Sequence, residues 1–192
     1  SPSRRQLCME CSLAELAADR GRTDRDVSLY LGIPFCPSRC AYCSFVSNSV
    51  EKSMKLIEPY LEALHREIVS AGELTERLRL RLRTFYMGGG TPTTLSAPKM
   101  DRQLPHLEEV FHLGALEECT VEAGRPDTIT PEKLRLLRDH GIRRISVNPQ
   151  TMEDTVLQAV GRRHTAADIR RTMDEAAAVG FPHINMDLIA GL

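Results

Sequence analysis

Cys36, Cys40 and Cys43 fall within eight residues at C-x3-C-x2-C spacing, in the stretch Tyr30-Leu31-Gly32-Ile33-Pro34-Phe35-Cys36-Pro37-Ser38-Arg39-Cys40-Ala41-Tyr42-Cys43. Pro34 and Pro37 remove backbone donors and fix φ, so the cysteines belong to a loop. It follows the apolar run Val27 to Ile33, which reads as a buried strand. Such a loop can wrap three sulfurs round one centre. A [4Fe–4S] cubane normally takes four thiolates, so three leave one iron open to a ligand the protein does not supply. Zinc is the competing metal, but structural zinc wants four closed ligands, usually as two separated pairs, and no Cys or His follows within the next twenty residues. Disulfides are a third reading, opposed by the odd local count and by a sequence that opens without a secretory pattern.

Further groups could do chemistry beside such a centre. Gly88-Gly89-Gly90 lets backbone N–H and C=O groups approach a small ligand with no Cβ in the way, or else makes a strained turn. It lacks the Lys-Ser/Thr of a P-loop and is not a G-x-G-x-x-G. Glu122 ends an apolar run, where a carboxylate must be paired or wet; a ligand hydroxyl or ammonium would satisfy it, as would a surface salt bridge with Arg125. Asp187, between Met186 and Leu188, reads as buried and in need of a partner. Gln150 offers a neutral donor and acceptor, or simply makes a turn. In Arg162-Arg163-His164 the guanidinium groups suit the carboxylate of an amino-acid-like cofactor or of an acidic substrate, with a solvated charge run as the alternative. His164 is given no catalytic role.

The elements that position these groups alternate. After the cysteine loop, Ile57, Tyr60, Leu61, Leu64 and Ile68 predict a helix that ends before Gly72, with Pro59 in its first turn or kinking it. Arg83 to Met87 reads as a strand, and Ser96 with Pro98 starts a helix carrying Leu104, Leu107, Val110 and Phe111. Cys119 to Glu122 is the third strand. Thr130 and Pro131 open a helix to Asp139 that Gly141 closes, and Ile142 to Val147 is the fourth strand. Thr151 caps a short helix, Thr165 with Asp168 caps a longer one to Val179, and His183 to Ile189 is the fifth strand. Five strand-helix alternations predict a parallel α/β sheet or barrel, whose site is built from loops at the C-terminal ends of the strands. The cysteine loop, the glycine run, Glu122, Gln150 and Asp187 all fall at that end.

Residues 1–26 read as a separate helix and linker, with Leu7, Cys8, Cys11, Leu13, Leu16 and Ala17 on an amphipathic face; the Cys8/Cys11 pair reads as buried thiols rather than half of a second metal site. The 192 residues, 42% of them hydrophobic, suffice for one sizeable core at 27–192. A net charge of −1, from 25 basic and 26 acidic residues, gives no electrostatic reason to expect nucleic acid. No apolar run approaches the roughly 18 residues of a membrane span, and a reducing, cytoplasmic setting is expected. Because the chain opens on Ser1 and stops at Leu192 directly after a strand-like run, a fragment lacking the last barrel strand and a C-terminal domain is expected.

C-x3-C-x2-C after Ile-Pro-Phe, with Tyr42 before the third cysteine, resembles the radical S-adenosylmethionine (radical SAM) superfamily. Gly-Gly-Gly-Thr-Pro-Thr, the Glu122 strand, Arg144-Ile-Ser-Val, Gln150, Gly161-Arg162-Arg163-His164 and Asp187-Leu-Ile-Ala-Gly-Leu192 resemble the oxygen-independent coproporphyrinogen III oxidase (coproporphyrinogen dehydrogenase) family. The resemblance runs from about Ser28 to Leu192 and implies a partial (β/α)6 barrel of the TIM type. It implies a [4Fe–4S] cluster on Cys36, Cys40 and Cys43, with S-adenosylmethionine on its open iron. Tyr30, Tyr42, Gly89, Gly90, Thr91, Glu122, Gln150, Arg162 and Asp187 match positions that contact this cofactor. It further implies a flavodoxin-like electron donor, a 5′-deoxyadenosyl radical, and a porphyrinogen substrate whose propionates lose hydrogen and CO2 to become vinyl groups. Gly32 departs from the oxidase's Tyr-x-His-x-Pro-Phe-Cys, and Phe45 stands where the oxidase carries a further cysteine. Glu-Ala-Gly-Arg-Pro from Glu122 and Val-Asn-Pro-Gln from Val147 resemble the HemZ-like branch instead. A second branch of the family keeps the cluster and resembles a heme chaperone, which sets heme binding without dehydrogenation as the alternative.

Overall fold

The structure, a computed structural model, describes residues 2–45 and 48–192. Helix α1 (Pro2–Asp19) precedes strand β1 (Asp26–Ile33) and the two-residue strands β2 (Phe35–Cys36) and β3 (Asn48–Ser49). There follow α2 (Val50–Arg77), β4 (Arg81–Gly89), α3 (Ala97–Phe111), β5 (Glu118–Gly124) and α4 (Pro131–Asp139). β6 (Arg144–Gln150), α5 (Asp154–Ala159), α6 (Ala166–Val179) and β7 (His183–Leu188) complete the order. β1, β4, β5, β6 and β7 form one sheet in that sequence, and every neighbouring pair is parallel. Each strand returns to the next through at least one helix, as parallel pairing requires.

Side chains alternate across each strand, so the two faces of the sheet differ in chemistry. Leu31 and Ile33, Phe85 and Met87, Val121 and Ala123, and Ile145 and Val147 point to the helices and form the core with Leu61, Leu104, Leu107, Leu134 and Leu137. The opposite face is polar: Ser28 and Thr84, Tyr86 and Glu122, and Ser146 and Asn185 are joined in hydrogen-bonded pairs or sit next to one another along it. β1 is therefore buried on one face only. Tyr30, which reads as part of a buried strand, is 61% exposed.

The helix ends follow their capping chemistry. Thr130 Oγ1 accepts from Lys133 N at the start of α4, and Thr165 with Asp168 makes a reciprocal capping box before Gly180 ends α6 with φ 85°. Three expectations change. Thr151 is not the cap of α5; Glu153 holds that position, and Thr151 Oγ1 instead accepts from Glu153 N at 3.2 Å. Cys8 and Cys11 are exposed rather than buried, because α1 presents Leu7, Leu13 and Leu16 to solvent as well. The helix expected to stop before Gly72 begins earlier, at Val50, continues through Pro59, and ends at Arg77.

Tertiary contact explains the last difference. A Cβ on Gly72 would lie 2.4 Å from Val110 Cγ1 on α3, so the glycine allows α2 and α3 to approach, where a sequence reading takes it for a stop signal. We therefore expect Gly72→Ala to destabilise the protein by about 1–3 kcal/mol through overpacking, against a propensity gain of about 1 kcal/mol. Adding Val110→Ala should recover part of the loss. Urea unfolding of the single and double variants measures both; additive losses would contradict the clash.

Candidate functional site

The C-terminal ends of the strands surround a cavity of about 380 Å³. It is lined by the three thiols Cys36, Cys40 and Cys43 with Tyr42 and Arg162, by Gly89, Gly90 and Thr91, and by Glu122, Gln150 and Asp187. Residues that lie far apart in the sequence meet here because each, save Arg162, lies at the end of a parallel strand or in the loop beyond it; Arg162 follows α5 in the longer connection after β6.

The cysteine loop is held from both sides. Gly90 N donates to Ile33 O at 2.8 Å and Thr91 N to Phe35 O at 2.8 Å, which stitches the glycine run to the entry of the loop. A Cβ on Gly90 would lie 2.6 Å from Phe35 O, so only glycine permits this approach. Thr91 Oγ1 also lies 3.5 Å from Cys36 Sγ. On the other side Ala41 N donates to Val160 O at 3.0 Å, and Arg162 donates to the Tyr42 hydroxyl from Nη2 at 2.8 Å and Nε at 3.2 Å. Arg162 Nη1 reaches Asn148 O at 2.6 Å, so this buried guanidinium couples the loop to β6. Burial holds the Tyr42 phenol above its usual range despite that guanidinium.

Two carboxyls face the cavity without an ion pair among the described residues. Glu122 Oε1 accepts from the Tyr86 hydroxyl at 2.6 Å, and Asp187 Oδ1 accepts from Asn185 Nδ2 at 2.9 Å. The alternative of a Glu122–Arg125 salt bridge does not form, since Arg125 pairs with Asp127 at 2.9 Å. Burial, then the Asp187 charge, push the Glu122 carboxyl above its ordinary value, while the Tyr86 hydroxyl and the Gly89 N–H draw it down. Asp187 is only partly buried, as β7 is the sheet edge. Register shifts at Glu122/Gly124 and Val147/Gln150 turn the ends of β5 and β6, and Gln150 adopts a left-handed φ of 71°, a strained backbone that aims it at the cavity.

Tyr30 is the expected site residue that lies apart. It stacks on Tyr86, with centroids 5.9 Å apart, and reaches the cavity only through that ring and its bond to Glu122. Sequence reading passes over Tyr86, Ser38 and the Arg125–Asp127 pair; the period-2 placement of Tyr86 two residues before Gly88 was the one available signal. Cys119 lies on the helix side, its thiol pushed up to about 12 by burial.

The donor set fits an iron–sulfur cluster. Three thiols open onto one cavity, yet among the described residues no three of His, Cys, Asp and Glu converge on a point that would hold a single metal ion. A cubane takes each thiolate on a different iron and makes no such demand. A model of the radical SAM superfamily matches residues 30–192. The chain belongs to the radical SAM superfamily. This superfamily uses a [4Fe–4S] cluster and S-adenosylmethionine. The oxygen-independent coproporphyrinogen-III oxidase-like protein HemZ of Bacillus subtilis is 42% identical over 97% of this chain and 38% of its own length. Heme chaperone HemW of the same organism is 34% identical over 86% of this chain and 42% of its own. The solved coproporphyrinogen III oxidase (HemN) of Escherichia coli superposes with a TM-score of 0.77 at 32% identity, over 94% of this chain and 41% of that one. The chain thus spans about two fifths of the length of these relatives.

Because Glu122 holds its proton more tightly when folded than its ordinary value of 4.5 allows, stability falls as pH rises from that value through the raised one. Glu122→Gln should flatten that window in pH-dependent unfolding. Tyr86→Phe removes a bond to the charged form, so the Glu122 carboxyl should titrate higher still, as read by carbon NMR; an unchanged titration contradicts the coupling.

Proposed function

We propose that this protein is a radical SAM oxidoreductase that converts coproporphyrinogen III to protoporphyrinogen IX without oxygen, by oxidative decarboxylation of propionate side chains to vinyl groups. The observation that carries the reading is the single cavity shared by three thiols, a cleared glycine backbone and two carboxyls with no ion pair among the described residues. The 42% identity to a coproporphyrinogen oxidase-like protein supports the substrate.

In this reading Cys36, Cys40 and Cys43 hold the cluster, and residues 27–192 form the catalytic core beside a flanking helix and linker at 1–26. When bound, the cluster and S-adenosylmethionine supply the one-electron chemistry that removes a hydrogen atom from the substrate. The chain's own residues bind and orient. Gly89 and Gly90 would offer main-chain groups to the methionyl end, while Glu122 and Asp187 would give the cationic cofactor a negative wall and accept from its ammonium and hydroxyl groups. Gln150 adds a neutral donor and acceptor, Thr91 steadies Cys36, and Arg162 fixes Tyr42 over the loop. Tyr30 acts at one remove, by stacking on the ring that orients Glu122. A flavodoxin-like donor in the cytoplasm supplies the electron. No helix among the described residues is long and apolar enough to cross a membrane.

A second reading is a heme chaperone. Phe45, 63% exposed at the cavity rim, stands where the oxidase carries a further cysteine, and HemW proteins are among the relatives. The deciding experiment supplies dithionite, S-adenosylmethionine and coproporphyrinogen III to the anaerobically purified full-length protein. We expect 5′-deoxyadenosine together with decarboxylated porphyrinogen. Cofactor cleavage with no decarboxylated product, alongside stoichiometric heme binding, would overturn the oxidase reading in favour of the chaperone.

A further inference from the structure

Arg125 is 2% exposed, yet it carries a full charge and belongs to no strand or helix. Its fork is spent in two directions. Nε and Nη2 donate to Asp127 Oδ1 and Oδ2 at 3.0 and 2.9 Å, while Nη1 donates to Ser38 Oγ at 2.7 Å and to Ser38 O at 3.3 Å. Ser38 stands two residues after Cys36 and two before Cys40. Its hydroxyl, having accepted from Arg125, donates onward to Gly161 O at 3.2 Å. Behind Asp127 stands His164, 3% exposed, with Nδ1 facing Asp127 Oδ1 across 3.5 Å and neither ring nitrogen in a hydrogen bond among the described residues.

Burying such a line of polar groups is costly, and a buried ion pair adds less to stability than apolar side chains of the same volume commonly do. What a bidentate guanidinium does provide is direction: five donors in a rigid plane fix the groups on either side of it. Here one side is the turn after β5, anchored on the sheet, and the other is the middle of the C-x3-C segment. The segment from Val160 to His164 closes the frame, since it meets Ala41, Ser38, Tyr42 and Asp127 in turn.

We propose that Arg125 is a positioning residue for cluster assembly: backed by Asp127 and His164, it holds Ser38 so that Cys36 and Cys40 are presented to iron in a preset geometry. The inference rests on the cluster assignment of the preceding section. It assigns no contact between Arg125 and the cluster itself; the effect passes through the Ser38 main chain and hydroxyl.

The test compares wild type, Arg125→Met, Arg125→Lys and Ser38→Ala in the full-length protein. In the iron-free state, amide exchange at Ala41 and Cys43 should quicken in Arg125→Met by about tenfold or more, the loss expected when bonds from a charged donor are removed, while β5 and β6 amides stay protected. On reconstitution, wild type should reach about four irons per chain, with Arg125→Met slower to load and its reduced cluster altered in electron paramagnetic resonance. Arg125→Lys, which keeps the charge but loses the fork, should recover folding without recovering the loading rate. Ser38→Ala, which leaves the core intact, should show the same loop exchange to a lesser degree. Equal loop exchange, loading and spectrum in Arg125→Met and wild type would overturn the inference while leaving the cluster assignment intact. Failure of wild type itself to bind iron would overturn both.

Discussion

Two main-chain hydrogen bonds, from Gly90 N to Ile33 O and from Thr91 N to Phe35 O, decide where the cysteine loop begins. They carry the pairing of β1 with β4 past the end of the sheet, into a region where side chains would keep the backbones apart. A Cβ at Gly90 would lie within 2.6–2.9 Å of Phe35 O, Ile33 O and Phe35 N, and one at Gly88 would lie 3.0 Å from Glu122 Oε2. The glycine run therefore does two things at once. It lets the loop close on the sheet, and it clears the space in which the Glu122 carboxyl faces the cavity.

From that seam the remaining features follow by geometry and charge. Parallel strands deliver their C-terminal ends to one side, so a loop tied to β1 and β4 lies beside Glu122 of β5, Gln150 of β6 and Asp187 of β7 without any further device. The site is electrostatically divided. Its thiol side is held by guanidinium groups, Arg162 on Tyr42 and Arg125 on Ser38, whereas the opposite wall holds two carboxyls with no cation paired to them among the described residues. Such a division suits a ligand that brings its own positive charge and hydroxyl groups to a metal centre open at one position.

Much of this was legible in the chain. The C-x3-C-x2-C spacing, the glycine run and the caps at Thr130 and Thr165 are local signals with local causes, and the structure has the loop, the tight approach and the helix starts where they are expected. The α/β alternation was legible for the same reason. What escaped the sequence is what only tertiary contact decides. Gly72 looks like a helix end until Val110 is seen against it, and Arg125 looks like a partner for Glu122 until Asp127 and Ser38 take its fork. Tyr30 matches a cofactor-contact position of the family the sequence resembles but stacks on Tyr86, because the period of β1 sends it to the open polar face. Cys8 and Cys11 carry helical spacing, but spacing alone cannot say whether a face is covered.

In the proposed function three thiols hold a cluster with one iron left for a ligand placed by Glu122, Gln150 and the glycine backbone. Mössbauer spectroscopy of the iron-57-reconstituted, anaerobic full-length protein tests it most directly, with and without S-adenosylmethionine. About four irons per chain are expected, one of which changes its isomer shift when the cofactor is added, with a smaller change in Glu122→Gln. Four irons that all ignore the cofactor, or a cluster retained when Cys36, Cys40 and Cys43 are replaced by alanine, would contradict it.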